Sequence, residues 1–237
     1  MLTAKSVQNI DIFKKPQTRE LLLLSNNWDD FSNHINQLGS DPENNKKKGD
    51  IFELLTSLYF INNPIFSTKL TNLWHHTNVP SKIFDSLNLQ RPEIGVDLIA
   101  ESNEGNLWAI QCKYHNDVHK NISYDEVSTF FSITEREITY KKIRHRIISS
   151  SALEVSKKIS NVHKEKLGFI TYSDFSQLGN EEFKNFHSIL ENQKVTLNKY
   201  EPREHQNKAL DNCLSYFKTN SRGKLIHPCG SGKSLTG

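Results

Sequence analysis

The chain has 237 residues, of which 35% are hydrophobic, and its 13 Phe, 7 Tyr and 3 Trp supply bulky side chains for a core. This length suits one sizeable domain, or one domain and part of another, and the composition argues against a disordered chain. The formal net charge of +3 is too small to identify a nucleic-acid binder by itself. No apolar run approaches the roughly 18 residues of a membrane span, and the N-terminus lacks the apolar stretch of a signal peptide.

The cysteines and the basic runs give weaker indications of compartment and partner. Cys112, Cys213 and Cys229 have no paired spacing, which fits a reducing cytoplasm. Two basic runs, residues 44–49 and 141–146, have charge that can meet phosphates, but they can equally be a solvated loop and a solvated strand end. We therefore expect a cytoplasmic protein without a membrane partner.

The first part of the chain is predicted to be helical. Residues 1–45 form an N-terminal helical extension with two short helices, and residues 39–49, rich in Gly, Pro and Asn, are turn material. A strong helix over residues 49–63 follows, because Asp50 can cap it and apolar residues recur at helical spacing. Residues 63–93 read as an irregular connection with a short strand and a helical turn.

The period then changes from helix to strand. Residues 94–100 and 107–115 alternate as two strands of a hairpin, joined by a turn. A helix capped by Ser123, a strand, a helix, a second strand and a helix that begins at Asp174 follow. This order predicts an α/β domain over residues 46–192, with a mixed central β-sheet flanked by helices.

A second unit is predicted over residues 193–237. It begins with a linker and continues with a helix over residues 203–220 and a short strand over residues 223–229. The sequence ends with "PCGSGKS" and three further residues, which read as a glycine loop.

Three polar residues are predicted to meet in the hairpin. Strand alternation places the side chain of Asp97 on the face opposite to the side chains of its two apolar sequence neighbours. It also places Gln111 and Lys113 on one face of the second strand. A short hairpin brings the carboxylate, the amide and the ammonium together on otherwise apolar strands. Such a cluster is costly in a sheet interior unless its members are paired or functional.

The chemistry that fits this cluster is metal-assisted phosphodiester hydrolysis. Asp97 would anchor Mg²⁺ or Mn²⁺, and the amide oxygen of Gln111 and the backbone carbonyl of Cys112 would be further ligands. Lys113 would meet the attacking water and the scissile phosphate. The alternative is a structural salt bridge between Asp97 and Lys113, with Gln111 as its hydrogen-bond partner.

Other candidate sites carry less weight. A zinc site at Cys112, His115 and His119 lacks a fourth ligand, and Cys112 points away from Lys113 along the strand. His75 and His76 lie beside Trp74 and indicate a packed aromatic cluster. The serines of residues 149–151 lie at a strand-to-helix junction, where helix caps are common.

The hairpin resembles a known nuclease family. "GVDLIA" followed by "QCK" is similar to the core of the PD-(D/E)xK nucleases, in the Mrr-like branch where glutamine replaces the second acid. "GDIFE" resembles the first-helix motif of that family, which implies that Glu53 assists metal binding, also through water. The resemblance covers about residues 46–175. It implies a Mg²⁺-dependent endonuclease acting on double-stranded DNA.

This sequence departs from the family pattern at two places. The neutral Gln111 weakens metal affinity relative to glutamate, and no proline directly precedes Asp97. The place of Glu53 also stays open, because its neighbours at helical spacing, such as Gly49 and Thr56, can equally form a solvent face.

The glycine loop resembles the phosphate loop of superfamily-two helicases and translocases. "REHQNKAL", before it, resembles their adenine-reading segment, although Glu204 stands where proline is usual. His227 stands where the stricter phosphate-loop pattern has glycine. The resemblance implies nucleotide-binding roles for two sets of residues. The adenine-reading residues are Arg203 and Gln206, and the phosphate-binding residues are Gly230, Gly232, Lys233 and Ser234.

The order of nuclease and motor resembles single-polypeptide type I restriction-modification enzymes. This implies a truncated start of a RecA-like domain, with motor, methyltransferase and recognition domains further along the polypeptide. ATP is expected to act only in the full-length protein, and a second copy can meet the first on DNA for double-strand cleavage. The alternative is a catalytically silent DNA-binding module, or an accessory domain of a DNA helicase.

Overall fold

The computed structural model describes residues 2, 10–89, 95–162, 166–191 and 204–223, with only the backbone given at some positions inside helices. The chain divides into two compact units, Met1–Leu197 and Asn198–Gly237. The helices of the first unit are α1 Pro16–Leu24, α2 Trp28–Asn36, α3 Pro42–Asn62, α4 Pro64–Lys69, α5 Ser81–Ser86, α6 Tyr124–Thr134, α7 Glu137–Lys142, α8 Lys157–Val162, α9 Tyr172–Phe175 and α10 Asn180–Leu190. Its strands are β1 Leu70–His75, β2 Leu98–Ser102, β3 Leu107–Lys113, β4 Ile143–Ser150 and β5 Leu167–Ile170.

The five strands form one mixed sheet in the order β1-β2-β3-β4-β5. β1, β2 and β3 pair antiparallel, and β3, β4 and β5 pair parallel. The predicted mixed sheet flanked by helices is therefore confirmed. β3 is the central strand, and its C-terminal end extends beyond its pairing with β2, which stops at Ile110, while β4 pairs with it as far as Lys113.

Both faces of the sheet are covered, because alternate residues of each strand enter different cores. Leu98, Ala100 and Ile110 pack with α1, α2, α3 and α10 in one core. Ile99 and Ala109 pack with α5 and α6 in the other core. The apolar alternation on β2 and β3 that the sequence predicted is thus used on both sides of the sheet.

The long helix α3 begins earlier than predicted. Asp41, not Asp50, is its N-cap, since the Asp41 side chain accepts a hydrogen bond from the backbone N–H of Asn44. Pro42 occupies the first helical position, where its missing N–H costs nothing. The prediction of turn material over residues 39–49 is therefore wrong for most of that run. A cap and a proline outweighed the weak helix propensity of the Asn and Gly residues.

The strand that carries Asp97 begins later than predicted. β2 begins at Leu98, and Gly95 before it has a φ of 116°, which a residue with a Cβ rarely adopts. Because of this turn, Val96 enters the core opposite to that of Leu98, whereas alternation had placed both on one face. Asp97 is nevertheless tied to its neighbours, because its N–H donates to the carbonyl of Ile110 at 3.0 Å.

Two helices near the end of the first unit also differ from the prediction. The helix predicted from Asp174 onwards is two helices, α9 and α10, because the backbone N–H of Thr171 and that of Gly179 each donate to a carboxylate three residues ahead. The helix predicted directly after β4 begins only at Lys157.

The second unit contains helix α11, Glu204–Tyr216, which confirms the predicted helix of that region. Arg203 and the whole glycine loop lie outside the described residues, as does the side chain of Gln206. The short strand predicted before the loop lies outside them as well, except for Gly223. Taken over the part of the chain that is described, no helix has the length and apolar character needed to cross a lipid bilayer.

Candidate active site

An open cleft of about 600 Å³ lies where the N-terminal half of α3 faces the C-terminal end of β3. Its lining combines carboxylates, lysines and amides. The lining residues are Asn45, Lys46, Lys48, Gly49, Asp50, Glu53, Asp97, Gln111, Cys112, Lys113, Tyr114, His115, Asn116, Asp117, Lys120 and Glu126. The four residues that the sequence analysis assigned to catalysis are therefore in one cleft.

Asp97 and Gln111 are in direct contact. The Nε2 of Gln111 donates to Oδ2 of Asp97 at 2.5 Å, and the backbone N–H of Cys112 donates to the same oxygen at 2.6 Å. Gln111 is only 4% exposed. With Nε2 turned to Asp97, the amide oxygen of Gln111 is the atom that remains to bind a ligand.

The carboxylate of Asp97 lies in an environment that disfavours its negative charge. Burial raises the pKa of Asp97 to about 8, and the nearby negative charge of Glu53 adds to that rise. The hydrogen bond from Cys112 and the charges of Lys113 and His75 oppose it. Like charges held together away from water are typical of functional sites, because a cation between them removes the penalty.

Glu53 lines the same cleft as Asp97 and Gln111, and it is paired with a histidine that the sequence did not assign to the site. Its side chain is 14% exposed, and Oε2 lies 2.9 Å from Nε2 of the buried His75. Burial raises the pKa of Glu53 to about 8, with a further contribution from Asp50. Thr56, its neighbour one turn along α3, is fully buried, so this side of the helix does not face solvent.

His75 is held in one orientation at the end of β1. Its Nδ1 lies 2.6 Å from Oγ1 of Thr77 and 3.3 Å from the backbone nitrogen of Thr77, and its Nε2 faces Glu53. Its ring also packs against Phe13 at 5.7 Å and against His76 at 4.1 Å. The predicted packing of His75 with His76 is present, but Trp74 packs against the other core, and His75 also contacts a carboxylate of the cleft.

Lys113 lies at the last position of β3, and two serines hold the backbone at Lys113 and two residues after it. Ser150 donates to the carbonyl of Lys113 at 2.9 Å, and Ser151 exchanges hydrogen bonds with the backbone of His115. The prediction that these serines cap a helix is wrong, since they bind the end of β3 instead. In the described ranges, no carboxylate lies within ion-pair distance of the Lys113 ammonium.

Helix α3 supplies one wall of the cleft through a stripe at helical spacing. Lys46, Gly49, Asp50 and Glu53 share this stripe, since they are separated by three, four and seven positions. Burial raises the pKa of Asp50, and the charges of Lys15 and Lys46 oppose the rise. Sequence reasoning missed Asp50 as a cleft residue because it assigned that residue to the helix cap.

The residues considered for a zinc site serve other purposes. The side chain of Cys112 packs in the core that contains α1, α2, α3 and α10, and burial raises the pKa of its thiol well above the usual value. His115 lies 2.9 Å from Glu126 of α6 through its Nε2. Within the described ranges, no three His, Cys, Asp or Glu side chains form a group that could hold a metal ion.

The donor set at Asp97 fits a hard divalent cation with retained waters. Two carboxylates, one amide oxygen and one backbone carbonyl are oxygen donors, which Mg²⁺ and Mn²⁺ prefer. The raised pKa values of Asp97 and Glu53 indicate that the protein supplies too little positive charge to balance these two carboxylates when they are ionised. If such an ion binds, Asp97, Gln111 and the carbonyl of Cys112 are the residues that would hold it, with Glu53 beside them.

Comparison with protein families identifies one match. Residues 61–195 match the model of the family Mrr_cat_2, which is described as restriction endonuclease. The match covers more than half of the chain and includes Asp97, Gln111 and Lys113, and it begins after Glu53. No curated protein matches the chain.

A solved structure resembles nearly the whole chain. It is the ATP-dependent Type ISP restriction-modification enzyme LlaBIII bound to DNA, with a TM-score of 0.57 and 25% identity. The similarity covers 90% of this chain but only 12% of that enzyme, so the chain spans about an eighth of its length. A second structure, a protein of unknown function, AF1548, has 14% identity and a TM-score of 0.28 over 66% of this chain and 78% of the other, and supports no argument.

Proposed function

The chain belongs to the restriction endonuclease family Mrr_cat_2, and from this premise we propose that it hydrolyses phosphodiester bonds of double-stranded DNA with Mg²⁺ or Mn²⁺ at Asp97, Gln111 and Lys113. The observation that carries the proposal is the convergence of these three residues with Glu53 in one cleft. A bound cation would polarise the scissile phosphate and acidify a bound water. The proposed compartment is the cytoplasm, which suits three cysteines without paired spacing.

Each residue has a distinct role in the proposed reaction. Asp97, held by Gln111 and by the N–H of Cys112, offers its second carboxylate oxygen to the cation at a fixed position. Glu53 adds negative charge from the α3 side and orders water. Lys113 presents Nζ to the scissile phosphate and to the attacking water, where it adds positive charge and assists proton removal.

A plasmid-nicking experiment with the full 237-residue chain tests the proposal. Supercoiled DNA is incubated with Mg²⁺ or Mn²⁺ and wild-type protein, Asp97→Asn or Lys113→Ala. Wild type is expected to nick, and each variant to lose at least about 100-fold in rate. Asp85→Asn and Lys47→Ala, which change residues outside the cleft, are the matched controls and should nick like wild type. Nicking that survives both Asp97→Asn and Lys113→Ala would contradict the proposed site.

We also propose that the chain is the N-terminal part of an ATP-dependent restriction enzyme that continues into a DNA translocase. The similarity to LlaBIII, whose structure holds DNA, supports this proposal, as does the order of motifs in residues 203–234. The region of α11 supports it too, since Leu210 and Leu214 of the helix and Phe217 directly after it are exposed apolar side chains that further parts of a motor domain would cover. In the complete enzyme, methyltransferase and recognition domains and a second copy on DNA would be the partners.

A catalytically silent DNA-binding or accessory domain is the second candidate. The short contact between Gln111 and Asp97 favours it, because the same bond would stabilise a purely structural cluster. Calorimetric titration with Mn²⁺ separates the two candidates. Binding by wild type that is lost in Asp97→Asn supports the nuclease, whereas a folded protein without such binding supports the silent domain.

A further inference from the structure

A buried lysine lies in the wall of the cleft and has no role in the proposed chemistry. Lys48 is 3% exposed, and its Nζ donates to Oδ1 of Asn116 at 3.1 Å. Within the ranges that the structure describes, no carboxylate lies within 4.0 Å of this ammonium. A buried positive charge that has only a neutral partner is costly, so its presence at a cleft indicates an anionic ligand.

Two acidic residues that line the same cleft, Glu126 and Asp117, have other partners. Glu126 contacts Nε2 of His115 at 2.9 Å and accepts hydrogen bonds from the N-cap residue of α6. Asp117 accepts a hydrogen bond from the backbone N–H of His119 at 2.9 Å. Neither carboxylate therefore compensates the charge of Lys48 within the protein.

The surroundings of Lys48 suit a ligand with a chain of negative charges. Lys46, Lys113 and Lys120 line the same cleft, so four lysines face one opening. The backbone of α3 is also accessible there, because a Cβ added to Gly49 would meet no atom within 4 Å. A ligand can thus approach the helix backbone closely at Gly49, directly after Lys48.

We propose that Lys48, held by Asn116, binds a backbone phosphate of DNA that flanks the scissile phosphate. The ligand class rests on the proposed function, because a nuclease cleft of this size receives the phosphates next to the one it cleaves. The phosphate supplies the charge that Lys48 lacks, and the low dielectric of the buried position strengthens the contact. Lys47, the preceding residue on α3, does not line the cleft and has no part in this subsite.

Binding of a fluorescent DNA duplex without divalent metal tests this subsite. The dissociation constant is measured between 50 and 200 mM salt for wild type, Lys48→Met and the matched control Lys47→Met. Lys48→Met is expected to weaken binding about 5- to 10-fold and to reduce the slope of log K against log salt by about 0.9. Lys47→Met is expected to stay within about 2-fold of wild type.

A second variant keeps the test informative if Lys48→Met folds poorly. Asn116→Asp is isosteric and places a carboxylate next to Lys48, so the buried charge becomes paired inside the protein. This variant is expected to melt at or above the wild-type temperature and to bind DNA more weakly. Asn45→Asp, which adds the same charge to the same cleft, is its control and should weaken binding by a smaller factor.

The outcomes separate the subsite from the proposed function. If wild type binds and nicks DNA while Lys48→Met binds like Lys47→Met, the subsite is wrong and the nuclease stands. If Asn116→Asp and Asn45→Asp weaken binding equally, the subsite is also overturned. A wild-type chain that binds no DNA overturns the proposed function, and the subsite with it.

Discussion

Two regions of the first unit hold buried charges in opposite ways. On β4, Arg146 is 2% exposed, and its Nη1 donates to Oε1 of Glu135 at 2.5 Å. The guanidinium also lies over the ring of Phe131 at 5.7 Å. In the cleft, Asp97 and Glu53 have the same sign of charge, and each has a pKa raised to about 8.

The ion pair at Arg146 and the cleft use buried charge for different purposes. The pair at Arg146 cancels its charge within the protein, so it can serve the fold without any ligand. In the cleft, Asp97 and Glu53 disfavour one another's charge, and the ammonium of Lys48 has no carboxylate within 4.0 Å in the described ranges. Such a site costs stability, and a cation and a phosphate would remove that cost when they bind.

The largest expected effect is on the pH dependence of stability without metal. The folded-state pKa values of Asp97 and Glu53 are raised from 3.8 and 4.5 to about 8. At pH values between the ordinary and the raised pKa, the folded state therefore binds more protons than the unfolded state. Stability is therefore highest at the acidic end of that window and falls as pH rises towards about 8. We expect the melting temperature in EDTA to fall by several degrees between pH 5 and pH 8, measured by circular dichroism.

Asp97→Asn should flatten that pH dependence, because it removes one of the two titrating carboxylates. At pH 8 the variant should melt several degrees above wild type, since about 1 kcal/mol corresponds to roughly 2–4 °C at this size. Mg²⁺ should raise the melting temperature of wild type at pH 8 and leave Asp97→Asn unchanged. If the melting temperature of the variant depends on pH as steeply as that of wild type, Asp97 is not a group whose pKa is raised in the folded state.

The next effect is on the structural ion pair, and it should leave activity intact. Glu135→Ala removes the partner of Arg146 and is expected to destabilise the fold by about 2 kcal/mol, because a hydrogen bond to a charged group is lost. Urea unfolding measures this change. Nicking per folded molecule should stay within about 2-fold of wild type, and a loss similar to that of Asp97→Asn would erase the contrast between the two regions.

The smallest expected effect is at His75, which positions Glu53. His75→Leu removes the hydrogen bond to Glu53 and should increase the Mg²⁺ concentration for half-maximal nicking about 5-fold, equivalent to about 1 kcal/mol. His75→Gln, whose amide can still donate to Glu53, should restore most of the wild-type Mg²⁺ response. Equal responses of the two variants would assign His75 to packing against Phe13 alone.

The central part of the site could be predicted from the sequence for a local reason. Asp97 lies directly before β2, and Gln111 and Lys113 lie on β3, which a short turn joins to β2; in such a hairpin local spacing decides which side chains meet. Even so, the rest of the local geometry was only partly predictable. The turn at Gly95 reverses the direction of Val96, and no alternation pattern shows this.

The remaining cleft residues could not be predicted because their contacts are distant in the chain. Glu53 meets His75 across 22 positions, and Lys48 meets Asn116 across 68. The sequence around each of them is compatible with a solvated helix or a packed aromatic cluster. Only the position of α3 against the ends of β1 and β3 decides that these side chains enter one cleft.

The sequence by itself therefore determined the mixed α/β sheet, the hairpin cluster and the resemblance to a nuclease family, since these depend on periodicity and short spacing. Tertiary structure alone decided which charges are cancelled and which are left for a ligand. Burial and distance set the energy of a charge, and neither is a property of a residue and its chain neighbours. Arg146 and Lys48 are both basic residues in basic runs, yet one lies against a carboxylate and the other against a neutral amide.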